Sequence, residues 1–203
     1  MTRRALLVLT AAWVVVAVLG FHALMRYKGE TGPQGQTPPT WPGSTALSLP
    51  KDKPLLIMFA HPKCPCTQAS LAELEVLAAR AEGRFDAAVL FYQPHGFGGD
   101  WTNTSSIKTA RAIPGVRVLS DEEGAAARAF GAETSGHTVL YGRDGKLQFA
   151  GGITGSRGHL GDNAGLETVL KLILNDRSGA DQRAASVFGC ALFEQCTRKQ
   201  TAN

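Results

Sequence analysis

The chain has 203 residues, room for one ordinary domain with an appendage, and its 44% hydrophobic and 19% charged content excludes a disordered chain. Four cysteines are too few for a disulfide scaffold and enough for a site. The net charge of +4 does not mark a nucleic-acid binder: Arg3, Arg4, Arg26 and Lys28 all precede the first acidic residue, Glu30, and from there on basic and acidic residues number 17 each.

Residues 5–25 (ALLVLTAAWVVVAVLGFHALM) carry no charge. As a helix they measure about 31 Å, close to the ~30 Å hydrocarbon thickness of a bilayer. A cleaved leader is the alternative, but the run is longer than a usual leader core and ends without an Ala-x-Ala-like site. The reading is therefore a cytoplasmic tail at 1–4 and a single-pass anchor at 5–25. The short Arg3-Arg4 tail stays inside, which puts the body on the extracytoplasmic, periplasmic side of a bacterial-type inner membrane. Residues 26–51 are rich in Gly, Pro, Thr and Ser, the chemistry of an extended linker.

The apolar run at 54–60 reads as a buried strand. After HPKCPC, Leu71, Leu74, Leu77, Ala78 and Ala81 recur at helical spacing; the helix starts either at Thr67 or at a capping box of Ser70 and Glu73. Strands follow at 85–92 and 116–119, with a loop at 95–104 and a short helix at 105–113 between them. A helix spans 121–130, with acidic residues in its first turn. Strands at 137–141 and 147–150 flank Asp144-Gly145, a strong hairpin signal, and 164–174 is a last amphipathic helix. The order β-α-β-α-β-α-β-β-α implies a sheet sandwiched by helices, with the HPKCPC segment at a carboxyl end of its strands.

A strand ending in Phe59-Ala60, a cysteine pair at the next turn, a long helix and a late hairpin resemble a thioredoxin-fold protein of the membrane-anchored, extracytoplasmic kind. The resemblance implies an α/β three-layer sandwich at 52–176, a central mixed sheet with helices on both faces; it says nothing about the C-terminal cysteine-containing tail at 177–203. It implies a thiol-disulfide oxidoreductase whose partners are protein or small-molecule thiols and disulfides, with no cofactor. The family motif is C-x-x-C; this chain has Cys64-Pro65-Cys66, with Thr67 where the second cysteine falls in the family. The family also places a cis-proline before the penultimate strand, where counting back from Asp144-Gly145 gives Gly136, followed by His137.

Cys64 is the expected nucleophile, because His61 and Lys63 precede it and a helix follows, and both a helix N-terminus and nearby cations lower a thiol pKa. Cys66 would resolve the mixed disulfide. A purely structural bridge across one residue removes little loop entropy, so it would stabilise little. Gly136 and His137 are expected to face the cysteines. A second reading is Cu(I) binding or copper delivery by Cys64, Cys66, His61 and His137, since thiolates and imidazoles suit that ion. Copper-delivering assembly factors of this fold carry C-x-x-x-C, which this chain lacks. A peroxidase is disfavoured, since His61 stands where a peroxidatic cysteine has its threonine.

In the tail, Cys190 and Cys196 have five residues between them. Three uses stay open: a local clip, a relay in which Cys190 docks beside Cys64, and free or intermolecular thiols. The glycine-rich stretch at 151–158 lacks the Gly-Lys-Ser/Thr ending of a phosphate loop and reads as an excursion near the site, with Arg157 and His159 on its rim or in solvent. Trp101 reads either as a platform for substrate or as packing.

Overall fold

The computed structural model describes residues 2–43, 47–96, 99–175 and 183–193. Two compact units divide the chain at Glu30. The first is α1 (Arg3–Gly29), whose Thr2 hydroxyl caps the N-terminus by accepting from Ala5 N at 3.4 Å. Its 27 residues make about 40 Å of helix, none of them buried, with a mean hydropathy of 2.3 over an 18-residue window. By length and composition it is able to cross a membrane.

The second unit is built on β1 (Leu55–Ala60), in which every residue is buried. Its period-2 alternation serves two faces at once. β1 runs parallel to β2 (Asp86–Gln93), which runs parallel to β3 (Val116–Glu122). On its other side β1 pairs antiparallel with β4 (His137–Tyr141), and β4 returns as β5 (Leu147–Gly151). A two-residue strand, β6 (Arg183–Ala184), adds parallel to β5, giving the order β3-β2-β1-β4-β5-β6. This is a thioredoxin-like sheet, as the element order implies.

Leu56 and Met58 face α2 (Thr67–Ala81), α4 (Ser105–Ala112) and α6 (Ala164–Leu174), which contribute Leu71, Leu74, Leu77, Ile107, Val169 and Ile173 to one core. Leu55, Ile57 and Phe59 face the other core, with Ala127 of α5 (Ala125–Ala129), Phe130, Leu47 and Leu192, and Trp41 and Phe193 packed against it.

Three local differences from the sequence reading have clear causes. β3 continues to Glu122 and α5 is short, because buried Asp121 caps the helix from the strand end, its carboxylate accepting from Ala126 N at 2.8 Å and Ala127 N at 2.9 Å. The loop at 95–104 contains a one-turn helix, α3 (Gly99–Thr102). β6 carries too few residues for a period to show.

The largest difference lies in the segment read as a linker. Extended it is, but it lies along the body as a strap. Tyr141 Oη donates to Pro38 O at 2.7 Å, Leu147 N to Pro39 O at 2.9 Å and Trp41 N to Gly145 O at 2.7 Å. The Trp41 ring sits edge-on to Phe130 and Tyr141 at 5.2 and 5.3 Å. Proline-rich backbone has few donors but keeps all its carbonyls, and the body supplies the N–H and O–H groups they need.

Candidate active site

The HPKCPC segment leaves β1 at its carboxyl end and becomes two successive turns, Cys64 N donating to His61 O and Thr67 N to Cys64 O, each at 3.1 Å. Cys66 is then the N-cap of α2, and its carbonyl accepts from Ala69 N and Ser70 N. The helix therefore starts at Thr67. Ser70 sits within its first turn, and Glu73 accepts from Gly161 N at 2.6 Å instead of closing a capping box.

Cys64 is 2% exposed and is a thiol, as are Cys66 and Cys190. Its sulfur lies 2.8 Å from the sulfur of Cys190, within reach of a thiol–sulfur hydrogen bond. That hydrogen bond is the main reason the Cys64 pKa falls to about 5; burial opposes it, and the backbone N–H groups of Cys190 and Cys66 and the Thr67 hydroxyl add to it. The partners move the other way. Burial raises the Cys66 thiol, aided by the Cys64 charge and by the hydrogen bond between them. Cys190 is driven far up by donating to Cys64, then by burial and by the charges of Cys64 and Cys66. The shifts favour ionisation at Cys64 over Cys66 and Cys190.

Around the sulfurs, Ser135 ties together what the sequence leaves apart. Its hydroxyl accepts from His61 N at 2.9 Å, shares a 2.9 Å bond with Thr67 Oγ1, and its backbone N donates to Cys190 O at 2.8 Å. Thr67 Oγ1 also lies 3.1 Å from His61 O. Thr67 thus contributes a buried hydroxyl where the family has its second cysteine. At Gly136 the backbone has φ +92°, the N–H donates to Phe59 O at 2.7 Å, and an added Cβ would lie 2.8 Å from Ser70 Oγ. Proline fits neither that φ nor that hydrogen bond. Accordingly there is no cis peptide among the described residues.

The expected cation and the histidines sit elsewhere. Lys63 Nζ lies 4.7 Å over the Trp101 ring, and Pro65 faces solvent. The positive charge acting on the thiols is Arg157, which lowers Cys66 and Cys190 and donates from Nη1 to Gly189 O at 2.5 Å. His61 is buried against Trp101 (5.1 Å) and Tyr92 (6.1 Å), its Nδ1 accepting from Lys63 N at 3.1 Å. Burial and then Lys63 bring its pKa down to about 4, so the ring is neutral. His137, expected to face the cysteines, is buried at the start of β4 and pairs with the strap instead, Nε2 lying 3.3 Å from Thr37 Oγ1; burial takes its pKa down to about 4 as well. It pairs with Phe59 across the sheet and shares that residue's face. Among the described residues, no group of three or more His, Cys, Asp or Glu side chains is placed to hold a metal ion. Cys196 lies outside the described residues.

Ser135 and Arg157 are the site residues that sequence reasoning missed or left on the rim. Counting back from the hairpin lands one residue past Ser135. Nothing in the sequence relates Arg157 to Cys190.

No family model matches the sequence, and no curated protein matches it. Solved structures do. An uncharacterized conserved protein from Geobacillus kaustophilus superposes with a TM-score of 0.57 at 19% identity, over 81% of this chain and 94% of that one. A hypothetical protein from Sinorhizobium meliloti does so with 0.57 at 16% identity, over 81% and 96%. A secreted disulfide oxidoreductase from Mycobacterium tuberculosis is similar at a TM-score of 0.42 and 14% identity, over 62% and 83%. The likeness is one of fold.

Proposed function

We propose that the chain is a membrane-anchored thiol-disulfide oxidoreductase that works through the Cys64/Cys66 region, with Cys64 as the attacking thiolate. One observation carries this reading: the Cys64 sulfur is surrounded by hydrogen donors that hold its pKa at about 5, while the Cys66 thiol is pushed up. The thiolate is the nucleophile in disulfide exchange, and a thiol left at its ordinary pKa is mostly protonated at neutral pH. Cys64 thus attacks one sulfur of a protein or small-molecule disulfide, forming a mixed disulfide and releasing the other sulfur as a thiolate. Cys66, on the next turn and protonated, is the neighbouring thiol of the pair. The apolar α1 anchors the body, and the two arginines at its start favour an extracytoplasmic body, in the compartment where disulfides persist.

Ultraviolet thiolate absorbance of the reduced protein against pH tests the reading. One thiolate is expected to form with a midpoint near pH 5 and to vanish in Cys64→Ser, together with exchange activity. A first midpoint near the ordinary thiol value, or one that survives in Cys64→Ser, would sink it. Because the folded pKa is depressed, the Cys64 thiolate favours the folded state. That contribution is absent below pH 5, grows as pH rises, and is complete above the unfolded thiol pKa.

A further inference from the structure

The C-terminal segment reaches the site in the form of a peptide strand. Ser135 N donates to Cys190 O at 2.8 Å, Thr134 and Ala191 form an antiparallel bridge, and Leu192 N donates to Glu133 O at 2.8 Å. Extended segments dock on open backbone edges in this way, the main chain giving affinity and alternate side chains giving register. Here the register places one sulfur 2.8 Å from the nucleophile.

The docking is built in. Leu192 is 1% exposed within the core of that face, and the Phe193 ring stands edge-on to Tyr92 at 5.6 Å with Arg128 over it at 5.0 Å. A Cβ on Gly189 would lie 2.0 Å from Ser135 O, so only glycine allows the segment to approach this closely. On the other side of the segment, Arg157 bonds the Gly189 carbonyl.

We propose that residues 133–135 form a docking edge for extended, cysteine-bearing segments, that 189–192 is its intramolecular occupant, and that Cys190 resolves the mixed disulfides formed on Cys64. The proposal rests on the reading of Cys64 as the attacking thiolate. With the tail docked, Cys64 is covered, so the tail leaves when a substrate disulfide binds; the Cys66 N–H and the Thr67 hydroxyl stay with the Cys64 sulfur as its donors. Cys64 attacks the substrate, and one substrate thiolate departs. The tail then returns to the edge, displacing the substrate backbone. With Cys64 held in the mixed disulfide its charge is gone; Cys190 loses its proton to solvent, its thiolate attacks Cys64 Sγ, the Cys64–substrate bond breaks, and the departing substrate thiolate takes up a proton from solvent. The substrate disulfide has become two thiols, and Cys64 and Cys190 have become a disulfide, which a dithiol reductant reopens.

Cys66 is less suited to that role. Its ring with Cys64 spans one residue and is tight, and its backbone is the N-cap of α2. Cys190 comes from a separate element and approaches without disturbing the helix.

The full-length reduced protein, mixed with a cysteine peptide carried as its thionitrobenzoate mixed disulfide, tests this. Wild type is expected to release thionitrobenzoate, then the free peptide, and to end with a Cys64–Cys190 linkage in non-reducing peptide maps. In Cys190→Ala, peptide release is expected to slow by more than ~10-fold, with the peptide retained on Cys64. Gly189→Val keeps Cys190 but is expected to undock the tail; it too should retain the peptide, and its Cys64 should alkylate at least ~10-fold faster than the covered wild-type thiol. A Cys64–Cys66 linkage in wild type, or peptide accumulating in Cys66→Ala and not in Cys190→Ala, overturns the role of Cys190. Thionitrobenzoate release that persists unchanged in Cys64→Ser overturns the underlying reading instead.

Discussion

Leu74 and Trp41 lie against opposite faces of one sheet and are held there by different means. Leu74 belongs to α2, which together with α4 and α6 covers one face with amphipathic helices whose backbone bonds are closed within each helix. Trp41 belongs to a strap, and on that face α5 is supplemented by residues 31–43 and by the tail through Leu192 and Phe193. The strap and tail cannot satisfy their own backbone; Gly32 N bonds Val187 O, Thr134 Oγ1 bonds Pro33 O, and Gln34 Nε2 bonds Ala185 O. A helix loses its packing only when the domain unfolds, whereas a strap is able to peel away by exchanging its carbonyls for water. That difference puts segments held by bonds to the body, and not by bonds of their own, beside the nucleophile. The fixed part carries the nucleophile itself, at the N-terminus of α2.

Truncation experiments on the two faces sharpen this contrast. Leu74→Ala leaves a cavity under the helical layer and is expected to lower global stability by about 2–5 kcal/mol in denaturant titrations. A loss of much less than that would mean the helices are not the rigid side. Trp41→Ala removes two edge-on aromatic contacts from a half-buried ring, with an expected loss of about 2 kcal/mol. Hydrogen exchange should show that loss concentrated at the amides of residues 41 and 147, which donate between strap and body, and an even spread over α2 and α6 would contradict it.

Leu192→Ala separates local from global stability. The side chain is as buried as Leu74, yet global unfolding should shift by under ~1 kcal/mol while Cys64 alkylation accelerates, because the tail opens before the domain does. An effect matching Leu74→Ala would show that the tail unfolds only with the core. The smallest change is expected from Arg80→Ala, which breaks the 2.6 Å ion pair to Glu167 between α2 and α6. Both partners are solvent-exposed, so stability should fall by less than ~1 kcal/mol and Cys64 reactivity should not move. A larger loss would make that pair part of what fixes the helical layer.

What the sequence by itself determined is whatever repeats within one element. The strand at 55–60, the helices around Leu74 and Val169, the Asp144-Gly145 hairpin and the anchor-like run all announce themselves, because periodicity and turn chemistry are local. So does Cys64, since a thiol between a buried strand and a helix start is a local arrangement. The strap and tail have no period, and their proline, glycine and threonine content is shared with true linkers; only the hydroxyls of Thr134 and Tyr141, the Gly145 carbonyl and the Leu147 N–H for the strap, and the Ser135 N–H and Glu133 carbonyl for the tail, decide that they dock. Likewise the direction of His137 follows from its pairing with Phe59, and the pKa of Cys64 follows mainly from a thiol 126 residues away. Those depend on which distant groups share a surface, and composition and spacing carry no record of that.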